Sequence, residues 1–181
     1  MDRLRPWIVV VVAVLLVSGC RKREEVIEAP TPTPGAVQPG DGFANRELDL
    51  STATVPQSFK VEANESTTLV LGSVDPESSA RVHVEVVRGD LKATARRHQT
   101  HVEADLGGTY RGSQQVEGPF GPAIWSRGEY DEDGEAFEEG RLITTHPSGQ
   151  GTLTLTYKYP AGEQEARKQE LLTLLAGMKG G

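Results

Sequence analysis

The segment from Thr152 to Tyr159 alternates without a break. Leu153, Leu155, Tyr157 and Tyr159 share one side, and Thr152, Thr154, Thr156 and Lys158 share the other. A period of two is the signature of a β-strand with one strongly apolar face. Pro160-Ala161-Gly162 then breaks the pattern, and Glu163 to Met178 follows. In that stretch Leu171, Leu174, Leu175 and Met178 recur at helical spacing, and Glu163 and Glu165 place negative charge in the first turn, where the helix dipole favours it. A strand with one large apolar face that feeds an amphipathic helix must pack sheet against helix. That requirement narrows the chain to layered architectures in which helices pack on a sheet.

The same signals recur upstream. Leu48 and Leu50 alternate with polar residues, and Val55 to Val61 and Thr67 to Ser73 read as short strands. In Arg81 to Val87, Val82, Val84 and Val86 alternate with Arg81, His83 and Glu85, which predicts a half-buried strand. Asp90 is a good N-cap for a helix whose stripe is Leu91, Ala95, His98 and Val102, and Gly107-Gly108 supplies the stop. Gly118-Pro119 and Gly121-Pro122 then punctuate a meander. Its strands are Ala123 to Tyr130 and Ala136 to Thr145, joined by a turn at Asp131-Glu132-Asp133-Gly134. Pro147 to Gly151 turns the chain into the last strand. No internal repeat is visible. The expected fold is α+β, an antiparallel sheet with two main helices packed against it.

The N-terminus has its own logic. Arg3 and Arg5 precede an apolar run from Trp7 to Val17, which ends in Ser18-Gly19-Cys20. Eleven apolar residues are too few for a spanning helix, which needs roughly 20. A basic start, a short apolar stretch and small residues make a secretory signal. With Cys20, the only cysteine, directly after Ser18-Gly19, the segment resembles a bacterial lipoprotein signal peptide. The resemblance implies cleavage between Gly19 and Cys20, a diacylglycerol thioether on the Cys20 sulfur and acylation of the new amino group. The alternative is an ordinary secretory signal with an incidental cysteine. One acyl chain anchors only marginally at about 0.8 kcal/mol per buried methylene, whereas two or three hold firmly. Arg21 occupies the position after the cysteine, where the enteric pattern uses Asp to retain a lipoprotein in the inner membrane. The outer membrane is therefore favoured if the source has two, with the domain periplasmic or extracellular.

Residues 1–19 thus read as signal and 20–46 as lipidated cysteine plus linker, with 47–181 as the globular domain. Ala29-Pro30-Thr31-Pro32-Thr33-Pro34-Gly35 favours an extended polyproline II chain, either a spacer or a proline motif for a partner. The full chain has 19 basic and 26 acidic residues, a net charge of −7, and loss of residues 1–19 makes it one unit more negative. That argues against nucleic-acid partners, which require a basic face. With no second thiol the domain has no internal disulfide and depends on its core.

The order of strands, helix, antiparallel strands and C-terminal helix resembles the PsbP-like superfamily, including DcrB-like bacterial periplasmic proteins. The residues that carry this are the helix Asp90 to Asp105, the stretch Trp125-Ser126-Arg127-Gly128-Glu129-Tyr130, the strand Gly151 to Tyr157 and the helix ending Leu171-Leu172-Thr173-Leu174-Leu175. The resemblance covers about 47–181. It implies a PsbP-like sandwich and mostly non-catalytic accessory or assembly roles. The metal positions of the plant photosystem members have no match here.

Chemistry-bearing motifs are sparse. His98 and His101 stand three apart on a helix, a possible metal pair, but His98 also lies on the apolar stripe and reads equally as a core histidine. Asp131-Glu132-Asp133-Gly134-Glu135 lacks the twelve-residue calcium-loop pattern and reads as a hairpin turn. No Gly-x-Ser-x-Gly elbow, phosphate loop or dinucleotide fingerprint is present. In the simplest meander register, Arg127, Arg141 and Lys158 share a face with Thr154 and Thr156 and could hold an anion; the alternative is a solvated face of cross-strand ion pairs. No catalytic residue, metal site or cofactor is assigned. The expectation is a non-catalytic interaction or assembly module of the cell envelope, held to membrane lipid through Cys20 and able to take an envelope protein partner. The rival is a carrier for a lipid or other apolar ligand, which needs a cavity between sheet and helices; Trp125, Phe137, Tyr157 and Tyr159 could line one or equally fill the core.

Overall fold

A computed structural model of the chain describes residues 38–180. Gly19, Cys20 and the proline tract lie outside the described residues. Among the described residues no helix is long and apolar enough to cross a membrane.

Among the described residues ten strands and two α-helices follow in the order β1 (Asp41–Asn45), β2 (Leu50–Thr54), β3 (Phe59–Glu65), β4 (Thr68–Ser73), β5 (Arg81–Val87), α1 (Leu91–Thr100), β6 (Thr109–Gly118), β7 (Gly121–Glu132), β8 (Glu135–Thr145), β9 (Thr152–Pro160), α2 (Gln164–Gly177) and β10 (Met178–Gly180). The main sheet has seven strands in the order β3-β4-β5-β9-β8-β7-β6, and every pairing in it is antiparallel. A smaller sheet has the order β1-β2-β10. The expected α+β fold, an antiparallel sheet with two helices packed on it, is the observed one.

The two faces of the main sheet do different work. On one face Trp125, Leu142, Leu155 and Tyr157 meet Leu171, Leu174 and Leu175 of α2, together with Phe43, Leu50 and Met178 of the small sheet. Phe59, Tyr157 and Tyr159 interlock edge to face, with centroids 5.4 Å apart in each pair. The other face carries α1. Both faces of β9 are buried, its threonines included, because it lies at the centre of the sheet.

Local chemistry sets the boundaries. The Asp90 carboxylate accepts a hydrogen bond from the Ala93 N–H at 2.7 Å, capping α1. The predicted helix does run to Asp105, but residues 101–105 form a π-turn, in which the Leu106 N–H donates to the His101 carbonyl at 3.1 Å. That turn lays Val102 on Gly128, where any side chain would overlap it. The turn between β7 and β8 has Asp133 at φ 56° and Gly134 at φ 85°, the geometry of a two-residue type I′ hairpin. His146, just before the β8–β9 turn, donates from Nε2 to the Leu48 carbonyl at 3.0 Å and accepts from the Ser148 N–H at Nδ1. It thereby ties the main sheet to the small one.

Three expectations need correction. The fold starts before Glu47, because Asp41–Asn45 pairs with β2. Arg127 does not share a face with Arg141 and Lys158: it pairs opposite Gly140, whereas Arg141 pairs opposite Ser126 and Thr156. Opposed residues of an antiparallel pair share a face and neighbours along a strand do not, so Arg127 points to the other side. For the same reason Phe137 lies on the opposite face from Trp125, Tyr157 and Tyr159.

Candidate functional site: a groove beside a buried polar chain

Beneath α1, side chains from four elements form one chain of polar contacts. The Tyr110 hydroxyl on β6 lies 3.0 Å from Ser126 Oγ on β7. Ser126 Oγ lies 2.7 Å from His98 Nδ1 on α1. His98 Nε2 lies 3.3 Å from Glu139 Oε1 on β8. That approach is off-line and leaves Nε2 without an aligned acceptor, so this last link is an electrostatic contact rather than a well-formed hydrogen bond. Arg141 Nη2 donates to the same Oε1 at 3.0 Å, and His101 Nε2 stands 3.8 Å from Oε2.

One set of proton positions satisfies the first two links and leaves the third electrostatic. Tyr110 donates to Ser126, Ser126 donates to His98 Nδ1, and the His98 proton sits on Nε2 facing Glu139. This requires a neutral imidazole and an ionised carboxylate. Burial holds His98 below the ordinary histidine value; Glu139 offsets part of this, and Arg141 pushes it lower again. Burial alone would raise Glu139, but His98, Arg141 and His101 together bring it below the usual carboxylate range.

Ser126 and His98 are both 0 % exposed. A serine, a histidine and a carboxylate in line resemble a nucleophile with its base. Here the Ser126 hydroxyl is sealed under α1 and occupied on both sides, by Tyr110 and His98, as the buried centre of a structural strut. Among the described residues no group of three or more His, Cys, Asp or Glu side chains is placed to hold a metal ion. His98 is a core histidine with polar partners, and His101 turns its Nδ1 to Asp105 at 2.8 Å.

The proposed anion face does not assemble. Arg141 is engaged by Glu139, and Lys158 is paired with Glu132 while lying 4.5 Å from the centroid of the Phe137 ring. Arg127 is on the far side of the sheet.

The accessible feature is a groove of about 510 Å³ between α1 and the β6–β7 edge of the sheet. Leu91, Lys92, Ala95, Arg96 and Gln99 form the helix wall. Tyr110, Ser113, Gln114 and Gln115 of β6 form the floor with Pro122, Ala123 and Ile124 of β7. Tyr110 joins groove to strut, presenting its ring to the opening and its hydroxyl to Ser126. Among the described residues no carboxylate lines the groove, while Lys92 and Arg96 both do, in a chain of net charge −7. Sequence reasoning missed this site because Ser113, Gln114 and Gln115 have no periodic signal, and because the partners of His98 become neighbours only through strand register.

No protein-family model and no curated protein sequence matches the chain. Solved structures do. The Saccharomyces cerevisiae Ran-binding protein Mog1p is 12% identical with a TM-score of 0.53, the match covering 80% of this chain and 96% of that one. Cyanobacterial PsbP (CyanoP) from Synechocystis sp. PCC 6803 is 9% identical with a TM-score of 0.49, covering 82% and 96%. A Bacteroides thetaiotaomicron VPI-5482 structure is 16% identical with a TM-score of 0.48, covering 80% of this chain, which spans about half of its length (49%). The likeness to Mog1p shows the fold and carries nothing about activity.

Proposed function

We propose that this protein is a non-catalytic interaction module of the bacterial envelope, tethered to membrane lipid through acylated Cys20, that receives a segment of a protein partner in the groove beside α1. The observation that carries the reading is the groove itself, open, free of carboxylates and set on a rigid strut. The absence of a catalytic role is part of the proposal, and the full burial of Ser126 supports it. The four aromatics that a ligand cavity would need are divided between two faces of the sheet, with Trp125, Tyr157 and Tyr159 buried in the core, which favours a protein partner over an enclosed apolar ligand.

Two experiments test this. Cys20→Ala is expected to move the protein from the membrane fraction to the soluble one; continued sedimentation with membranes would remove the anchor from the reading. A photo-crosslinking residue placed at Gln99 or Gln115 in living cells is expected to trap the same partner from both positions. Placed at Lys60, on the far edge of the main sheet, it is expected to trap none. Equal capture from Lys60, or none from the groove, would sink the proposal.

A further inference from the structure

The two edges of the main sheet differ. The β3 edge is occupied: the Phe59 carbonyl accepts from the Gly40 N–H at 3.1 Å, and Asn64 Nδ2 donates to the Ala44 carbonyl at 3.0 Å. It also carries Lys60, Glu62 and Glu65, and a bulge between Val61 and Ala63. Charges and bulges of this kind deter a further strand. β6 is different. Its bulge and its only cation, Arg111, lie near its start, where Gly112 has φ 100°. From Ser113 to Val116 the pairing with β7 is regular and the residues are uncharged. Among the described residues, no strand and no backbone hydrogen bond reaches the outer side of β6.

This open edge is also the floor of the groove. An added strand would satisfy the unpaired backbone groups of β6, and alternate side chains would fall on the α1 side of the sheet. There they meet apolar surface from Ala95, Tyr110 and Ile124, with Lys92 and Arg96 at the rim and no opposing carboxylate. Resting on the interaction reading above, we infer that the partner enters as an extended segment pairing with β6 at Ser113 to Val116. That segment carries apolar and acidic side chains on its groove-facing side. Main-chain pairing supplies much of the affinity, and the cationic rim selects the charge.

The test uses the full-length chain in detergent and an eight-residue capped peptide in which threonine alternates with Leu, Glu, Val and Glu. The control peptide has lysine in place of both glutamates. The acidic peptide is expected to bind saturably by fluorescence anisotropy and the lysine control at least tenfold more weakly. Lys92→Glu combined with Arg96→Glu is expected to weaken the acidic peptide at least tenfold. Hydrogen exchange resolved by residue is expected to show every second amide from Ser113 to Val116 slowed at least tenfold in the complex, since the others already pair with β7. Binding with unchanged β6 exchange, equal binding of both peptides, or no binding would overturn the proposal. So would β6 amides already protected in a sedimenting dimer, which would assign the edge to a second copy. If the groove crosslinks still trap a partner while the peptide leaves β6 unprotected, the interaction reading stands and strand addition falls. If the peptide protects β6 while the crosslinks trap nothing, strand addition stands and the envelope-partner reading falls.

Discussion

Ser126 Oγ lies 2.7 Å from His98 Nδ1, and neither residue has any surface in contact with water. Two buried polar groups that satisfy each other cost little, whereas either alone costs its full desolvation. Ser126→Ala is expected to destabilise the fold by about 1–3 kcal/mol, because it orphans the imidazole nitrogen and the Tyr110 hydroxyl together. Tyr110→Phe, at the half-exposed end, is expected to cost only about 0.5–1.5 kcal/mol. A double-mutant cycle between His98 and Ser126, read by urea denaturation, is expected to show coupling in the range of about 0.5–3 kcal/mol.

Acid is expected to weaken the protein in two stages. Folded His98 resists protonation, so its stabilising contribution is fully present above the unfolded value of 6.5. It is lost as pH falls from there through the lower folded value, since only the unfolded chain takes up the proton readily. Glu139 is also held low, and its contribution is lost as pH falls below 4.5 through its folded value. Denaturation midpoints measured across pH should therefore fall in the mildly acidic range, and His98→Gln should flatten that first decline and shrink the second, because His98 leads the groups that hold Glu139 low.

Gly140 lies under the Trp125 indole, where a single added methyl would overlap the ring. Gly140→Ala is expected to cost about 1–3 kcal/mol through overpacking. Trp125 emission should shift to longer wavelength as the ring is displaced toward solvent. An unchanged spectrum with full stability would show that the sheet can yield there.

At the β7–β8 hairpin, Gly134→Val is expected to cost about 1–2 kcal/mol, because a β-branched residue resists positive φ. The loss should appear in thermal denaturation while groove binding at saturating peptide is unaffected.

Strands buried on at least one face announced themselves. β5 and β9 alternate because one side of each lies in the core, and α1 and α2 show stripes for the same reason. β6 escaped because it is an edge strand with little apolar surface to bury on either side; Tyr110, Val116 and several glutamines and glycines leave no period. β1 was hidden by Gly40-Asp41-Gly42, which reads as turn, and β10 by having only three residues. His98 was legible as a core histidine because its stripe demands burial. Ser126, 28 residues away, was not, since a one-residue slip of β7 against β8 would have presented Arg127 in its place.

β2 lies between β1, its neighbour along the chain, and β10, which arrives only after α2. Half of that small sheet is thus a contact of very high sequence separation, the kind that forms late because its closure entropy must first be met. The hairpins of the main sheet need no such wait. The expected order is a β6–β9 meander that forms early, then the longer-range β5–β9 pairing and α2 docking, and last a latch in which Met178 pairs beside Thr52.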